Sequence, residues 1–311
     1  MKKILLGTFL LAAAISYAQD NGRTDIKNDL ATTVDKSGRT YDSTKNWNKG
    51  GSLSLNVAQT SLGNWSGGGT DALSANAFVN LYADYLKGKD SWTNNLNMQY
   101  GYLKTSGLDG RKSADLIDFV SLYGHSVSSK MDVSGLFRLR TQGFKGYTYG
   151  TDADGNETKT LNSNFFAPAY ITLAPGITYK PFKNFKLFLS PVAARALVVA
   201  DDFLSNQGAY GVDTGKTMKF QLGFLLNAGY TADITKTISY TGNLELYSNY
   251  LQDPQNVYIF MTNTFAAKLT KAIAVTWNFN LAYDDLYRPV EGKGPKLQTQ
   301  SILGVGLLYK L

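Results

Sequence analysis

The chain has no cysteine and a single histidine, His125, among 311 residues. The first absence excludes disulfides, thiolate metal sites and lipid attachment at an N-terminal cysteine. The second excludes any two-histidine metal site, and a catalytic triad would have to be built on His125. Past the N-terminus no apolar run approaches the length a membrane-spanning helix needs, so none is expected. No glycine-rich nucleotide-binding motif follows a strand-like segment. The net charge of +7 is spread along the chain, so nucleic acid is not an expected partner.

What is present begins with "MKKILLGTFLLAAAISYA". Two lysines, an apolar run from Ile4 to Ile15 and the small-residue end Ser16-Tyr17-Ala18 have the form of a secretory signal peptide, cleaved after Ala18. Loss of Lys2 and Lys3 lowers the formal charge from +7 to +5. Residues 19–50 form a polar lead-in expected to lie disordered in the periplasm, and residues 51–311 are expected to form the folded unit. That unit is rich in Tyr (20), Phe (16) and Gly (30). Aromatic residues favour strands and glycine favours the turns between them.

Twelve segments alternate apolar and polar residues with a period of two. They run roughly over 51–61, 72–86, 91–104, 114–127, 131–142, 168–180, 184–198, 218–231, 236–250, 256–269, 271–284 and 297–311. In "IAVTWNFNLAYDD", Ile273, Val275, Trp277, Phe279 and Leu281 share one face, with Asn278 and Asn280 on the other. These segments are long for globular strands and long enough for tilted strands that cross a bilayer. The connections alternate long and short throughout. A soluble sandwich has no reason for that, whereas a membrane barrel has short periplasmic turns and long outer loops. The pattern predicts an all-β, antiparallel transmembrane barrel of about twelve strands in the outer membrane. Loops 62–71, 143–167, 199–217 and 285–296 should then share one rim. Outer-membrane lipids and the barrel-assembly machinery are its expected partners.

"NWSGGG" (64–69), following "WNKGGSLSLNVAQTSL", resembles the NW-x-x-GG signature of a Bacteroidota outer-membrane β-barrel family of unknown function (domain-of-unknown-function family 3078). "LFRLRTQGFKGY" (136–147), "FFAPAYITLAPGITYKPFKNFKLFLSPV" (165–192), "LYSNYLQDPQNV" (246–257) and "LAYDD" (281–285) extend the resemblance from about Trp47 onward. It implies a barrel in the outer membrane and assigns no activity. Asn64, Trp65, Gly67 and Gly68 carry the motif, placed in the first outer loop.

The chemical inventory is thin. His125 falls near the periplasmic end of the fourth strand and reads as an interfacial residue. "TDADGNETK" (151–159) resembles a calcium loop at first sight. Counted from Asp152, however, the required Gly and Glu positions hold Glu157 and Ser163, and Asp154-Gly155 reads as a hairpin turn. "YTYG" and "TKTL" on either side could extend strands five and six above the membrane. No metal, cofactor or enzymatic activity is expected.

The polar faces carry Asn76, Asn80, Asn95, Asn97, Gln99, Asn243, Asn278 and Asn280, together with a charged belt of Asp118, Arg138, Arg140, Glu245 and Asp284 in the outer half. Asp118 lies on the strand beside the arginines, so it can meet them directly. Glu245 and Asp284 can do so only across a narrow or filled lumen. Two functions follow: a narrow channel or transporter for small polar or anionic solutes, and a non-conducting barrel that serves envelope assembly or secretion complexes.

Overall fold

A computed structural model of the chain describes residues 44–60, 71–182, 184–270, 273–283 and 297–310. The proposed signal peptide, the "NWSGGG" loop and loop 285–296 lie outside these residues. The strands are β1 (Trp47–Thr60), β2 (Ala72–Lys87), β3 (Asp90–Thr105), β4 (Arg111–Ser128), β5 (Met131–Thr141), β6 (Gly146–Thr151), β7 (Glu157–Ser163), β8 (Ala169–Tyr179), β9 (Phe185–Val198), β10 (Met218–Asp233), β11 (Ile238–Asn249), β12 (Val257–Lys268), β13 (Ile273–Tyr283) and β14 (Gln298–Lys310). Twelve of them close into one antiparallel barrel in which β5 pairs directly with β8, β6 and β7 form a separate hairpin, and β14 returns to β1. β1 opens at Trp47, ahead of the expected start at residue 51.

The alternation sorts the two faces as a bilayer requires. Val133, Leu173 and Phe220 are 55%, 60% and 56% exposed on the outer wall, while Asn97, Asp118 and Asn280 are almost wholly buried inside. A surface so broadly apolar is not compatible with water. A closed sheet leaves no backbone edge unpaired, which is the condition for crossing lipid with strands. The chain is thus an outer-membrane β-barrel. Among the described residues no helix is long and apolar enough to span a membrane. At the short-turn end Trp47 packs on Tyr85 (5.3 Å) and Trp92 (5.9 Å), as in an interfacial aromatic girdle.

Polar residues on the outer wall are covered locally. Asn263 sits on the lipid side of β12, yet it is 8% exposed. It accepts a hydrogen bond from the Tyr240 hydroxyl (2.7 Å) and donates to the Phe279 carbonyl (3.0 Å). Tyr240 reaches it by lying over Gly242, where a Cβ would meet the phenol. Proline in β8 and β9 is likewise accommodated. The β8–β9 register shifts between Leu173 and Ile177, bracketing Pro175, and the β9–β10 register shifts opposite Pro191. A bulge is where a residue without an N–H can sit in a sheet.

The connections keep their alternation of length, and the two longest described loops are structured. β6 and β7 do not continue β5 and β8 upward, contrary to the expectation for "YTYG" and "TKTL". The ladder breaks at Gly143 and Phe144, whose N–H groups both donate to Asp115 (2.8 Å each), and the hairpin that follows is a separate two-stranded sheet. Loop 199–217 contains a short helix, α1 (Asp202–Asn206), capped at its N-terminus by Asp201. Leu204 and Val212 of this loop pack with Val199, Leu197 and Ala167, with Tyr170 and Tyr210 alongside. Leu197 shares its face of β9 with Arg195, so the loop folds inward over the outer mouth.

Candidate functional site: a charged belt across the lumen

The antiparallel register sets Asp118 of β4 opposite Arg140 of β5. Asp118 is fully buried, and Arg138 grips it in a fork: Nε donates to one carboxylate oxygen (2.8 Å) and Nη2 to the other (2.7 Å). Arg140 approaches the same carboxylate at 3.5 Å. The free arm of Arg138 does not end there. Its Nη1 donates to Glu245 of β11 at 3.0 Å, and Arg195 of β9 meets the other oxygen of Glu245 at 3.3 Å. Arg195 also stacks on the Tyr247 ring at 3.8 Å. In barrel order β5 and β11 are separated by β8, β9 and β10, so the Arg138–Glu245 contact crosses the lumen rather than following its wall.

Three guanidiniums thus share two carboxylates. Bidentate arginine–carboxylate pairs are the strongest form of this contact. The geometry is costly to disrupt, because removing one partner leaves a buried charge uncompensated. Beside the belt lies an apolar cluster, also inside the barrel: Leu136, Ala174, Phe188, Ala193, Leu225 and Tyr247, with Val120, Leu122 and Tyr258 against it. The lumen on this side is therefore narrowed by ion pairs, filled by apolar side chains beside them, and overhung by loop 199–217.

Of the expected belt, Asp118, Arg138, Arg140 and Glu245 come together, and Asp284 lies outside the described residues. So do Asn64, Trp65, Gly67 and Gly68 of the motif loop. Arg195 and Tyr247 belong to the belt and were not anticipated. Pro191 explains the first omission. On β9 Phe188 and Ser190 are buried toward the lumen, and after the irregularity Ala193 and Leu197 take that position. The shift of one residue reverses the parity on which a period of two depends. Tyr247 shares the parity of Asn243 and Glu245, so alternation does turn it inward, but nothing in the sequence marks it as the ring on which Arg195 of β9 stacks.

The opposite wall is lined by amides. Asn80 of β2 donates to Asn97 (2.5 Å) and Asn95 (3.2 Å) of β3, and Asn280 of β13 is buried at 1% exposure. Asn97 stands directly opposite Asp118 in the β3–β4 ladder, so the amide wall runs continuously into the belt.

The remaining sequence candidates are outside this cluster. His125 is exposed near the short-turn end, with Nδ1 2.7 Å from Asp90. Tyr123 donates to the same carboxylate oxygen at 2.7 Å. In the 152–156 turn Asp152 accepts from the N–H groups of Asp154 (3.0 Å) and Asn156 (2.7 Å). These bonds hold its carboxyl below the usual carboxylate range, the Asn156 backbone N–H being the main cause. Its oxygens thus serve the turn itself. Among the described residues no group of three or more His, Cys, Asp or Glu side chains is placed to hold a metal.

A family model described as a protein of unknown function (DUF3078) matches residues 57–147. This is a narrower stretch than the resemblance noted from Trp47 onward. No curated protein matches the chain. Among solved structures, the translocator domain of the autotransporter NalP from Neisseria meningitidis is similar over 98% of this chain and 94% of that one, at 10% identity and a TM-score of 0.42. An outer-membrane channel of Pseudomonas putida F1 is similar over 88% and 97%, at 12% identity and a TM-score of 0.41. An anion-selective porin from Comamonas acidovorans is similar over 85% and 99%, at 12% identity and a TM-score of 0.31.

Proposed function

We propose that this outer-membrane barrel is closed at rest by the charged belt and is not an open porin. The reading rests on one observation, the bridge that Arg138 makes between Asp118 on β4 and Glu245 on β11. An ion pair that joins distant strands occupies the space a solute would use. The apolar cluster beside it supports the same reading, since twelve strands leave only modest room inside. No catalytic role is part of this proposal. Its biological sense is that of a non-conducting barrel that serves an envelope complex.

A second reading keeps the channel. The belt has one more guanidinium than carboxylate among the described residues, so on opening it would present fixed positive charge and favour small anionic solutes. Single-channel recording separates the two. The wild-type barrel is expected to show no stable current. Arg138→Ala plus Arg140→Ala is expected to remain silent if the apolar layer and cap seal the lumen, and to conduct if the belt alone is the gate. A stable current through the wild-type protein would overturn the closed-barrel proposal.

A further inference from the structure

The ring of strands is complete, but its last joint is short. β1 pairs with β2 along its whole length, Trp47 to Thr60, and β14 pairs with β13 from Gln298 to Leu307. Between β1 and β14 the register among the described residues runs only from Ser52 with Lys310 to Leu55 with Leu307. Both strands continue past that point toward the outer rim, β1 to Thr60 and β14 back to Gln298, without a ladder between them. Strand edges left apart inside a bilayer carry backbone groups that hydrocarbon cannot satisfy, so they call for water or a polar guest. Val57 and Val305, 60% and 62% exposed, flank this seam on the lipid side.

The lumen behind the seam is not the part that the apolar cluster fills. The Arg138–Glu245 bridge runs from β5 to β11 and divides the barrel order into two arcs. β8, β9 and β10 form one arc, and Ala174, Phe188, Ala193 and Leu225 occupy the space in front of it. β12 to β14 and β1 to β4 form the other, with the seam at its middle. Amides line this second compartment. Asn56 of β1 stands opposite Asn76 of β2, and Asn97 of β3 and Asn280 of β13 are buried inward. The Asn56 carboxamide lies against Gly306 of β14, where a Cβ would meet it, so an amide stands just where the ladder ends. On the lipid side a groove of about 370 Å³, lined by Ile259, Met261, Leu281, Tyr283 and Leu297 among others, runs from β12 to the start of β14.

We propose that the seam is a lateral opening toward the outer leaflet. Through it a lipid with an uncharged, hydroxyl-bearing headgroup places that headgroup in the amide-lined compartment, while its acyl chains stay in the bilayer along the apolar groove. Amides offer donors and acceptors without charge, which suits hydroxyls, and the headgroup also meets the open strand edges. The bridge enters only as a partition of the lumen, so the outcome is independent of whether the belt gates a current.

Photolabelling in phosphatidylcholine vesicles tests it, with a diacyl glucolipid that carries a diazirine on its sugar. Mass spectrometry locates the labelled residues. Label on Asn56 and Asn76 is expected. The chain has no cysteine, so the seam can be locked cleanly by Val57→Cys plus Val305→Cys, which extend the register two steps beyond Leu55 and Leu307. Dibromobimane joins the two thiols and fluoresces once both have reacted. The lock should abolish the lumen label. The matched lock Val79→Cys plus Met98→Cys, across the continuous β2–β3 ladder, should leave it unchanged, and heat-modifiable gel mobility verifies that both variants fold. Label confined to outward residues such as Leu55 and Val57 in the wild type would overturn the proposal without recourse to any variant. Lumen label that survives the seam lock would overturn it too, since entry would then be through the outer mouth. Equal lumen labelling by a phosphatidylglycerol with the diazirine on its headgroup would overturn the assignment of an uncharged headgroup.

Discussion

On the β4–β11 side of the lumen the inward groups reach across it: Arg138 spans from Asp118 to Glu245, and Arg195 joins Glu245 from β9. On the β2–β3 side the inward groups reach only their neighbours, as Asn80 does with Asn95 and Asn97 on the adjacent strand. The two walls meet at the Asn97–Asp118 pair and face similar surroundings. They differ in reach and charge. An amide can satisfy itself within one ladder step. A buried carboxylate needs a cation, and an arginine is long enough to carry that requirement across a narrow lumen. The ionic wall therefore constrains the cross-section of the barrel, while the amide wall lines it.

The sharpest way to break this contrast is Asp118→Ala. It strands the fork of Arg138 and removes the nearest carboxylate to Arg140, and breaking a buried pair in this way costs about 3–5 kcal/mol. Urea unfolding of the barrel from lipid vesicles should shift accordingly, and a loss below about 1 kcal/mol would mean that the belt does not hold the wall. Asn97→Ala is the matched change on the other side. It removes a hydrogen bond between neutral groups on adjacent strands, for which about 1 kcal/mol is expected. Similar losses in the two variants would erase the distinction between the walls.

The smallest effect concerns the cap above the ionic wall. The Asn164 side chain donates to Asp201 (2.9 Å), and this bond, followed by backbone N–H groups at the start of α1, holds the Asp201 carboxyl below its ordinary value. A depressed carboxyl stabilises the folded form at pH above its unfolded value, about 3.9. That contribution is lost as pH falls from there through the folded value. The protection of the Leu204 and Ser205 amides from exchange, taken relative to the intrinsic rate at each pH, should therefore fall a few-fold on acidification from neutral pH to about pH 3. Asp201→Asn should show no such dependence. Equal pH dependence in that variant would assign the effect to other groups.

Much of the barrel was legible from the chain. The period of two placed every barrel strand close to its observed span, and the alternation of loop lengths gave the rims. The meeting of Asp118 with Arg138 and Arg140 could be read as well, because adjacent strands of a hairpin must place same-face residues side by side. The hairpin around Asp154-Gly155 was legible, but not that it forms a sheet separate from β5 and β8, because nothing local announced that Asp115 would take the N–H groups of Gly143 and Phe144. Arg195 was hidden by the change of parity at Pro191.

The sequence by itself determined that the chain forms long antiparallel strands with one apolar and one polar face, that these close into a membrane barrel, and which loops lie on which side. These follow from local periodicity and turn length, since a strand alternates residue by residue and lipid demands a closed sheet. Only the tertiary structure decided that Arg138 meets Glu245, that Leu136, Phe188, Leu225 and Tyr247 fill the lumen beside them, and that loop 199–217 bends over the mouth. Those contacts depend on the width of the lumen and the register of strands that are not neighbours, and both are set by how twelve strands close rather than by any one of them.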